Sequence, residues 1–136
     1  NLAAIVGMVA ALKEDLEQQA EHYQKLEGLK SAFLDEIADL EYYLNESQHQ
    51  LPYVINIGFP GQKNDLLLLR LDLEGISIST GSACTAGVVQ TSHVLEAFYG
   101  PDSHRLKESV RISLSPLNTE EELKQLAQTL KNIIGD

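Results

Sequence analysis

The clearest pattern in the sequence is an alternation of apolar and polar residues over positions 109–115. Val110, Ile112 and Leu114 share one face of this stretch, whereas Arg111 lies on the other face among serines. Apolar residues at every second position predict a half-buried strand, because successive side chains of a strand point to opposite faces of the sheet. The chain is therefore expected to bury one face of a sheet and to carry Arg111 on the polar face.

Two further stretches have the period of a strand. Pro52 and Pro60 bracket residues 53–59, whose larger side chains share one face. Residues 76–79 alternate isoleucine with serine. Strands separated by helices usually pair in parallel through a right-handed crossover, so parallel pairing is expected, while the pattern leaves the strand order open.

The first third of the chain has helical spacing. Apolar residues three and four apart predict one amphipathic helix over residues 2–16 and a second over residues 23–44 that stops at residues 45–47. A bend or break is expected near Gly28, because glycine inside a helix costs about 1 kcal/mol relative to alanine. The heptad register holds for about three repeats only, which favours packing against a sheet over a coiled coil.

Three more helices are predicted further along. Leucines dominate residues 66–73, which favours a short buried helix that Asn64 or Asp65 could cap. A second short helix begins after Thr91 or Ser92 and ends at Gly100. The last helix begins with a capping box made of Thr119 and Glu122, and its buried residues are expected to be Leu123, Leu126, Leu130, Ile133 and Ile134. The prediction is an α+β fold of about three strands with flanking helices, with residues 1–136 forming a single domain.

Composition narrows the classes of partner and compartment. The net charge is −10, and phosphate binding needs clustered basic residues, so no nucleic-acid partner is expected. The apolar runs are far shorter than the roughly 18 residues of a membrane span, which argues against a membrane partner. A single cysteine cannot form an internal disulfide, which favours a reducing, cytoplasmic location. Because the sequence begins with Asn1 rather than methionine, it is expected to be the remainder of a longer chain.

The only cysteine, Cys84, lies in a run of small residues with Gly81 and Gly87 at its ends. Most free cysteines behave as small buried hydrophobes. A thiol on a glycine-bounded loop can also be reached by other molecules, and access together with thiolate character makes a cysteine reactive. Spacing alone leaves the inert and the reactive interpretations equally open.

Several motifs occur together in a fixed order. The segment 79–85 reads Ser-Thr-Gly-Ser-Ala-Cys-Thr, Ser-His-Val-Leu follows at 92–95, and Ser-Val-Arg-Ile-Ser-Leu at 109–114 precedes Thr-Glu-Glu-Glu at 119–122. Together they resemble the C-terminal part of cysteine desulfurases of the NifS/IscS type. The opening Asn-Leu-Ala-Ala-Ile-Val-Gly also resembles the helix that follows a Gly-Thr-Glu-Asn motif in that family. The resemblance covers the whole chain and is to the subclass with the longer cysteine loop.

The resemblance implies the C-terminal domain of a fold-type I pyridoxal-phosphate enzyme that takes sulfur from L-cysteine and leaves L-alanine. By position, Cys84 would be the nucleophile that carries the persulfide, within a catalytic loop of Thr80, Gly81, Ser82, Ala83 and Thr85. Arg111 would hold the substrate carboxylate, for which a planar bidentate cation is well suited. The implied partners are L-cysteine, a sulfur acceptor (an iron–sulfur scaffold or a thiolation enzyme) and a second subunit of a homodimer.

The resemblance also places pyridoxal phosphate outside this segment. The family's cofactor-binding lysine, histidine and aspartate belong to a preceding large domain. The 136 residues alone are therefore expected to bind no cofactor and to turn over no cysteine. His22, His49 and His104 have no mutual spacing that suggests a metal site, and His93 is expected to be a local hydrogen-bonding or packing residue at a helix start.

Two other interpretations stay open at this point. The chain could belong to a related pyridoxal-phosphate lyase or aminotransferase in which Cys84 is dispensable. It could also be a non-catalytic interaction module with an inert thiol.

Overall fold

Three strands form one antiparallel sheet in the computed structural model, which describes residues 1–47, 50–81 and 91–135. The strands are β1 (Tyr43–Leu44), β2 (Val54–Gly58) and β3 (Ser109–Ser113), in the order β1-β2-β3. The helices are α1 (Leu2–Glu36), α2 (Asn64–Leu73), α3 (His93–Tyr99), α4 (Arg105–Glu108) and α5 (Glu120–Gly135). The α+β prediction is confirmed.

The core lies on one face of this sheet. Ile55 pairs with Ile112 and Ile57 with Val110, and all four side chains are buried. The two predicted strands at 53–59 and 109–115 are therefore confirmed, each slightly shorter than expected. Helices α1, α2 and α5 cover this face, with Leu29, Phe33, Leu67, Leu71, Leu126 and Leu130 among the core residues.

The expected parallel pairing is wrong. It depended on residues 76–79 being the next strand after β2, but this segment makes a single antiparallel bridge between Ser79 and Arg111. Ile76 and Ile78 still pack against the core, so the alternation was correct although the strand was not. The third strand is instead β1, whose two residues are too few to show a period.

Helix α1 is continuous over 35 residues, so the predicted break near Gly28 is wrong. Leu26, Leu29 and Phe33 on either side of this glycine are buried, and their burial outweighs a glycine cost of about 1 kcal/mol. The predicted stop at residues 45–47 is also wrong. The helix ends at Glu36, and the backbone N–H of Ile37 closes it by donating to the Phe33 carbonyl.

The first half of α1 does not pack against the sheet as expected. Its apolar side chains are exposed, from 77% at Leu2 down to 43% at Val9. Nothing in the described chain covers this stretch, so the periodicity identified an apolar face without identifying its contacts. Among residues 1–47, 50–81 and 91–135, no helix is both apolar enough and long enough to cross a bilayer.

The shorter helices agree with the sequence patterns in most respects. Ser92 caps α3 by accepting a hydrogen bond from the N–H of Leu95 at 3.3 Å. At α5, Thr119 Oγ1 accepts from the Glu122 N–H at 3.2 Å, and a Glu122 carboxylate oxygen accepts from the Thr119 N–H at 3.1 Å, which confirms the capping box. The N-cap of α2 is Lys63 rather than Asn64 or Asp65, and α4 was not predicted.

The fold predicts opposite effects of one substitution at two glycines. The ring of Tyr43 lies against Gly58, and a Cβ at this glycine would overlap the ring. We expect Gly58→Ala to lower the free energy of unfolding by about 1–3 kcal/mol. Gly28→Ala meets no atom within 4 Å and should raise it by up to about 1 kcal/mol. Urea unfolding of both variants measures the two effects, and a neutral Gly58→Ala would contradict the packing of Tyr43.

Candidate functional site

A row of polar residues crosses the sheet on the face opposite the core. The backbone register places Asn45 opposite Asn56, Asn56 opposite Arg111, and Arg111 opposite Ser79. Residues directly opposite one another in an antiparallel sheet share a face. Four segments that are far apart in sequence therefore contribute one polar side chain each to a continuous line, which we name the polar row.

Arg111 occupies an inner position of the polar row. Its backbone N–H donates to the Ser79 carbonyl at 2.7 Å, and the Ser79 N–H donates to the Arg111 carbonyl at 3.1 Å. Because both backbone groups face Ser79, the pair on the other side, Arg111 with Asn56, is the non-hydrogen-bonded type. Side chains of such a pair lie close, with Cβ atoms about 4.5–5.5 Å apart.

The guanidinium of Arg111 has an unused donor. Its Nε is buried and has no hydrogen-bond partner among the described residues. A buried donor without a partner costs about 1–3 kcal/mol, so its presence in a native fold requires an explanation. A ligand with an acceptor atom would remove this cost.

Asn45 connects the polar row to its surroundings. Its side-chain Nδ2 donates to Asn56 Oδ1 and to Ser109 Oγ, both at 2.8 Å. Its Oδ1 accepts from Arg105 Nη1, also at 2.8 Å. Both ends of this amide are therefore fixed by hydrogen bonds.

Arg105 is itself held between two aromatic rings. Its guanidinium carbon lies 4.1 Å from the centroid of the Tyr43 ring and 4.5 Å from that of the Tyr99 ring. The Tyr43 hydroxyl donates to Glu108 Oε2 at 3.2 Å. Burial raises the pKa of this hydroxyl above its ordinary value, and the neighbouring Glu108 carboxylate adds to the rise. The hydroxyl therefore stays protonated at neutral pH and remains a donor.

A cavity of about 340 Å³ adjoins the polar row. Asn45 and Asn56 line it together with apolar side chains of α3, including Leu95 and Phe98. An apolar cavity with a few convergent polar groups is the usual form of a small-molecule site. The Asn45 and Asn56 end of the polar row therefore borders a space that a small molecule could enter.

A second cavity, of about 380 Å³, lies where the cysteine segment leaves and rejoins the described chain. Thr80 and Gly81 line it on one side and Thr91 on the other, with Lys63 and Lys107 nearby. Gly81 has a φ of +63°, a conformation that favours glycine. Of the predicted site residues, Arg111, Thr80 and Gly81 are described, whereas Ser82, Ala83, Cys84 and Thr85 lie outside the described residues.

Comparison with known proteins assigns the chain to a family. Residues 1–126 match the aminotransferase class-V family. The chain belongs to the aminotransferase class-V family. It is 39% identical to a putative cysteine desulfurase IscS 1 of Bacillus subtilis and 34% identical to a cysteine desulfurase IscS of Dictyoglomus turgidum, in each case over 98% of this chain. It spans only about a third of those relatives, 36% and 34% respectively.

A solved structure supports the same family. A NifS-like protein superposes on 99% of this chain with a TM-score of 0.83 and 27% identity, and the chain covers 34% of that protein. Enzymes of the class-V family depend on pyridoxal phosphate. The resemblance inferred from the motifs is therefore confirmed at the level of the family.

Sequence reasoning missed three members of the site: Asn45, Asn56 and Arg105. A polar residue in the middle of an apolar strand was a visible signal for Asn56, because it interrupts Val54-Ile55 and Ile57 on the strand. Asn45 was assigned to a helix end and Arg105 to a polar loop. No local pattern linked either of them to Arg111.

The unused donor predicts that Arg111 lowers the stability of the fold. We expect Arg111→Met to raise the free energy of unfolding by about 1 kcal/mol, because it removes a buried donor that has no partner. Arg105→Met is the matched control and should lower it by about 1–2 kcal/mol, because it removes ring contacts and a hydrogen bond. Urea unfolding measures the free energy of unfolding of both variants. Equal destabilisation by both variants would show that Arg111 is a structural residue.

Proposed function

We propose that these 136 residues form the C-terminal, smaller domain of a pyridoxal-phosphate-dependent cysteine desulfurase. The family match over residues 1–126 and relatives named cysteine desulfurase support the chemistry. The observation that carries the proposal is the backbone pairing of Arg111 with Ser79, at the start of the segment that contains Cys84. This pairing places Ser79, five residues before Cys84 in the sequence, beside Arg111, which supports a shared role for the two residues implied by the motifs.

Chain length limits how far apart these residues can be. Cys84 follows Ser79 by five residues. Five residues of fully extended chain span at most about 18 Å. The segment that leads to Cys84 begins beside Arg111, so its length allows Cys84 to lie next to a small substrate that Arg111 holds.

Arg111 supplies the substrate-binding step. Its guanidinium is permanently charged and presents several N–H donors in one plane, which matches the geometry of a carboxylate. The buried Nε without a partner gives a further reason for a carboxylate at this place. In this role Arg111 binds and orients the α-carboxylate of L-cysteine and takes no part in bond breaking.

Cys84 supplies the sulfur-accepting step. Its thiolate attacks the substrate sulfur, a bond forms between the two sulfur atoms, and the bond between the substrate sulfur and its Cβ breaks. The electron pair of the broken bond goes to the carbon, which takes up a proton to give L-alanine, while a persulfide remains on Cys84. An unperturbed thiol with a pKa of about 8.5 is only a few per cent thiolate at neutral pH, so the assembled site must favour the thiolate.

Pyridoxal phosphate would be held by the rest of the enzyme. None of the seven lysines is buried, and Lys30 and Lys131 each pair with a carboxylate at 2.8 Å, so the lysines present do not fit a cofactor-binding role. When bound, the cofactor supplies the electron sink that the broken carbon–sulfur bond requires. The described residues bind the substrate carboxylate and position the segment that carries the thiol.

The proposal extends to partners and location. The whole enzyme would act in the cytoplasm as a homodimer and pass the persulfide sulfur to an acceptor, either an iron–sulfur scaffold or a thiolation enzyme. Residues 1–136 would fold as a single domain of that enzyme. The isolated chain would be inactive, and we expect no absorption band of lysine-bound cofactor when it is mixed with pyridoxal phosphate.

The test uses a full-length enzyme that contains this segment and L-cysteine labelled at sulfur. We expect the label on Cys84 after one turnover and neither label nor sustained alanine release in Cys84→Ser, because the hydroxyl cannot carry the sulfur. Mass spectrometry of the peptide that contains Cys84 measures the label.

Two further variants test the role of Arg111 and the alternative that Cys84 is dispensable. Arg111→Lys should keep the label but raise KM for L-cysteine, because a single ammonium replaces a bidentate contact. Full activity of Cys84→Ala on L-cysteine would instead favour a related lyase or aminotransferase.

A further inference from the structure

We propose that Asn56 is a second donor to the substrate carboxylate, beside Arg111, and that Asn45 and Arg105 are positioning residues that fix the orientation of the Asn56 amide. The identity of the ligand rests on the proposed function. The arrangement of donors rests on the polar row alone.

The first step is the position of Asn56. It lies on the inner strand β2, directly opposite Arg111 in a non-hydrogen-bonded pair, and it lines the 340 Å³ cavity. The side chains of Asn56 and Arg111 therefore rise from the same face at close range. A group bound by one lies within reach of the other.

The second step is the orientation of the amides, which follows from Arg105. An arginine side chain has donors and no acceptors, so the amide group of Asn45 that receives Arg105 Nη1 must be its oxygen. The nitrogen of Asn45 then faces Asn56, at 2.8 Å, and the atom of Asn56 that receives it must also be an oxygen. The chain of contacts fixes Asn56 with its Oδ1 toward Asn45 and its Nδ2 directed away from Asn45.

The third step is the chemistry of what remains unpaired. Arg111 Nε is buried and has no hydrogen-bond partner in the described parts of the chain, whereas the half-buried Asn56 bonds Asn45 through its Oδ1, which leaves its Nδ2 available as a donor. Both atoms are donors, so they cannot satisfy each other. A carboxylate offers two oxygens with about four acceptor positions and is a suitable ligand for two neighbouring donors.

The orientation of Asn56 therefore decides whether the site attracts or repels an anion. With Nδ2 toward Arg111, the amide adds a donor to the positive charge. With Oδ1 toward Arg111 instead, the partial negative charge of the amide oxygen would repel a carboxylate bound there. The hydrogen bond from Arg105 to Asn45 determines the orientation of the Asn56 amide. Arg105 is in turn fixed by its contacts with the Tyr43 and Tyr99 rings.

The experiment compares two ligands of the full-length enzyme that differ only in the carboxylate: L-alanine and ethylamine. In Asn56→Ala the inhibition constant of L-alanine should rise by at least about tenfold, because a hydrogen bond to a charged group is lost. The constant of ethylamine should not change. Asn132→Ala, at an exposed asparagine of α5 whose side chain accepts a hydrogen bond from Gln128, is the matched control and should change neither constant.

A second variant tests the positioning residues. In Asn45→Asp the carboxylate still accepts from Arg105 but offers only acceptors to Asn56, so the Asn56 amide should turn its Nδ2 toward residue 45. Discrimination between L-alanine and ethylamine should fall as far as in Asn56→Ala, although residue 45 does not touch the ligand. Nuclear Overhauser contacts of the Asn56 amide protons should move from Arg111 to residue 45.

The outcomes distinguish this inference from the proposed function. Equal weakening of both ligands by Asn56→Ala would mean a structural role and overturn the inference. If Arg111→Lys reduces the discrimination but Asn56→Ala does not, the inference fails and the proposed function stands. If neither variant reduces it, the inference and the carboxylate-binding role of Arg111 both fail, because the polar row does not hold the carboxylate, whereas the sulfur label on Cys84 decides the desulfurase chemistry separately.

Discussion

The pairing of β2 with β3 is the contact on which the rest of the structure depends. Its register places Ile55 against Ile112 and Ile57 against Val110 on the core face. Side chains alternate along a strand, so a slip of one residue would move these four to the far face. The same slip would bring an asparagine or an arginine into the core, where an unpaired polar group is costly. The hydrophobic register therefore fixes Arg111 and Asn56 on the far face as a direct consequence of building the core.

The polar row departs from the rule that governs the core. Buried groups elsewhere are apolar or paired, whereas the Nε of Arg111 has no partner among the described residues. Such local conflicts are expected where a site needs a group that the free fold does not satisfy. Around it, the fold fixes its neighbours closely: Ser79 by two backbone hydrogen bonds and Asn45 by three contacts of its side chain. The energetic cost of an unpaired buried group is therefore confined to the Nε of Arg111, and the neighbouring residues fix the surroundings of this donor.

Sequence patterns predicted elements well where one period extended over enough residues. Strands β2 and β3 and helix α5 were found because their burial follows periods of two or 3.6. The predicted break at Gly28 was wrong, since the local cost of one glycine is smaller than the burial of Leu29 and Phe33. Strand β1 has two residues and no period, and the antiparallel order depends on which distant segment pairs with β2. These features are set by contacts between distant residues, which a local window does not contain.

The site was predictable to the extent that a single segment carries it. The alternation of β3 showed Arg111 on a polar face, and family resemblance gave it a role together with Cys84. Asn56 required knowledge of the register, and its amide orientation required Arg105, which lies 60 residues from Asn45 in sequence. The contact from Asn45 to Asn56 spans a further 11 residues. The contacts from Arg105 through Asn45 to Asn56 therefore decide whether this face presents a donor or an acceptor to a ligand. They form only when the sheet and α4 are packed together, so no single segment of the sequence specifies this property.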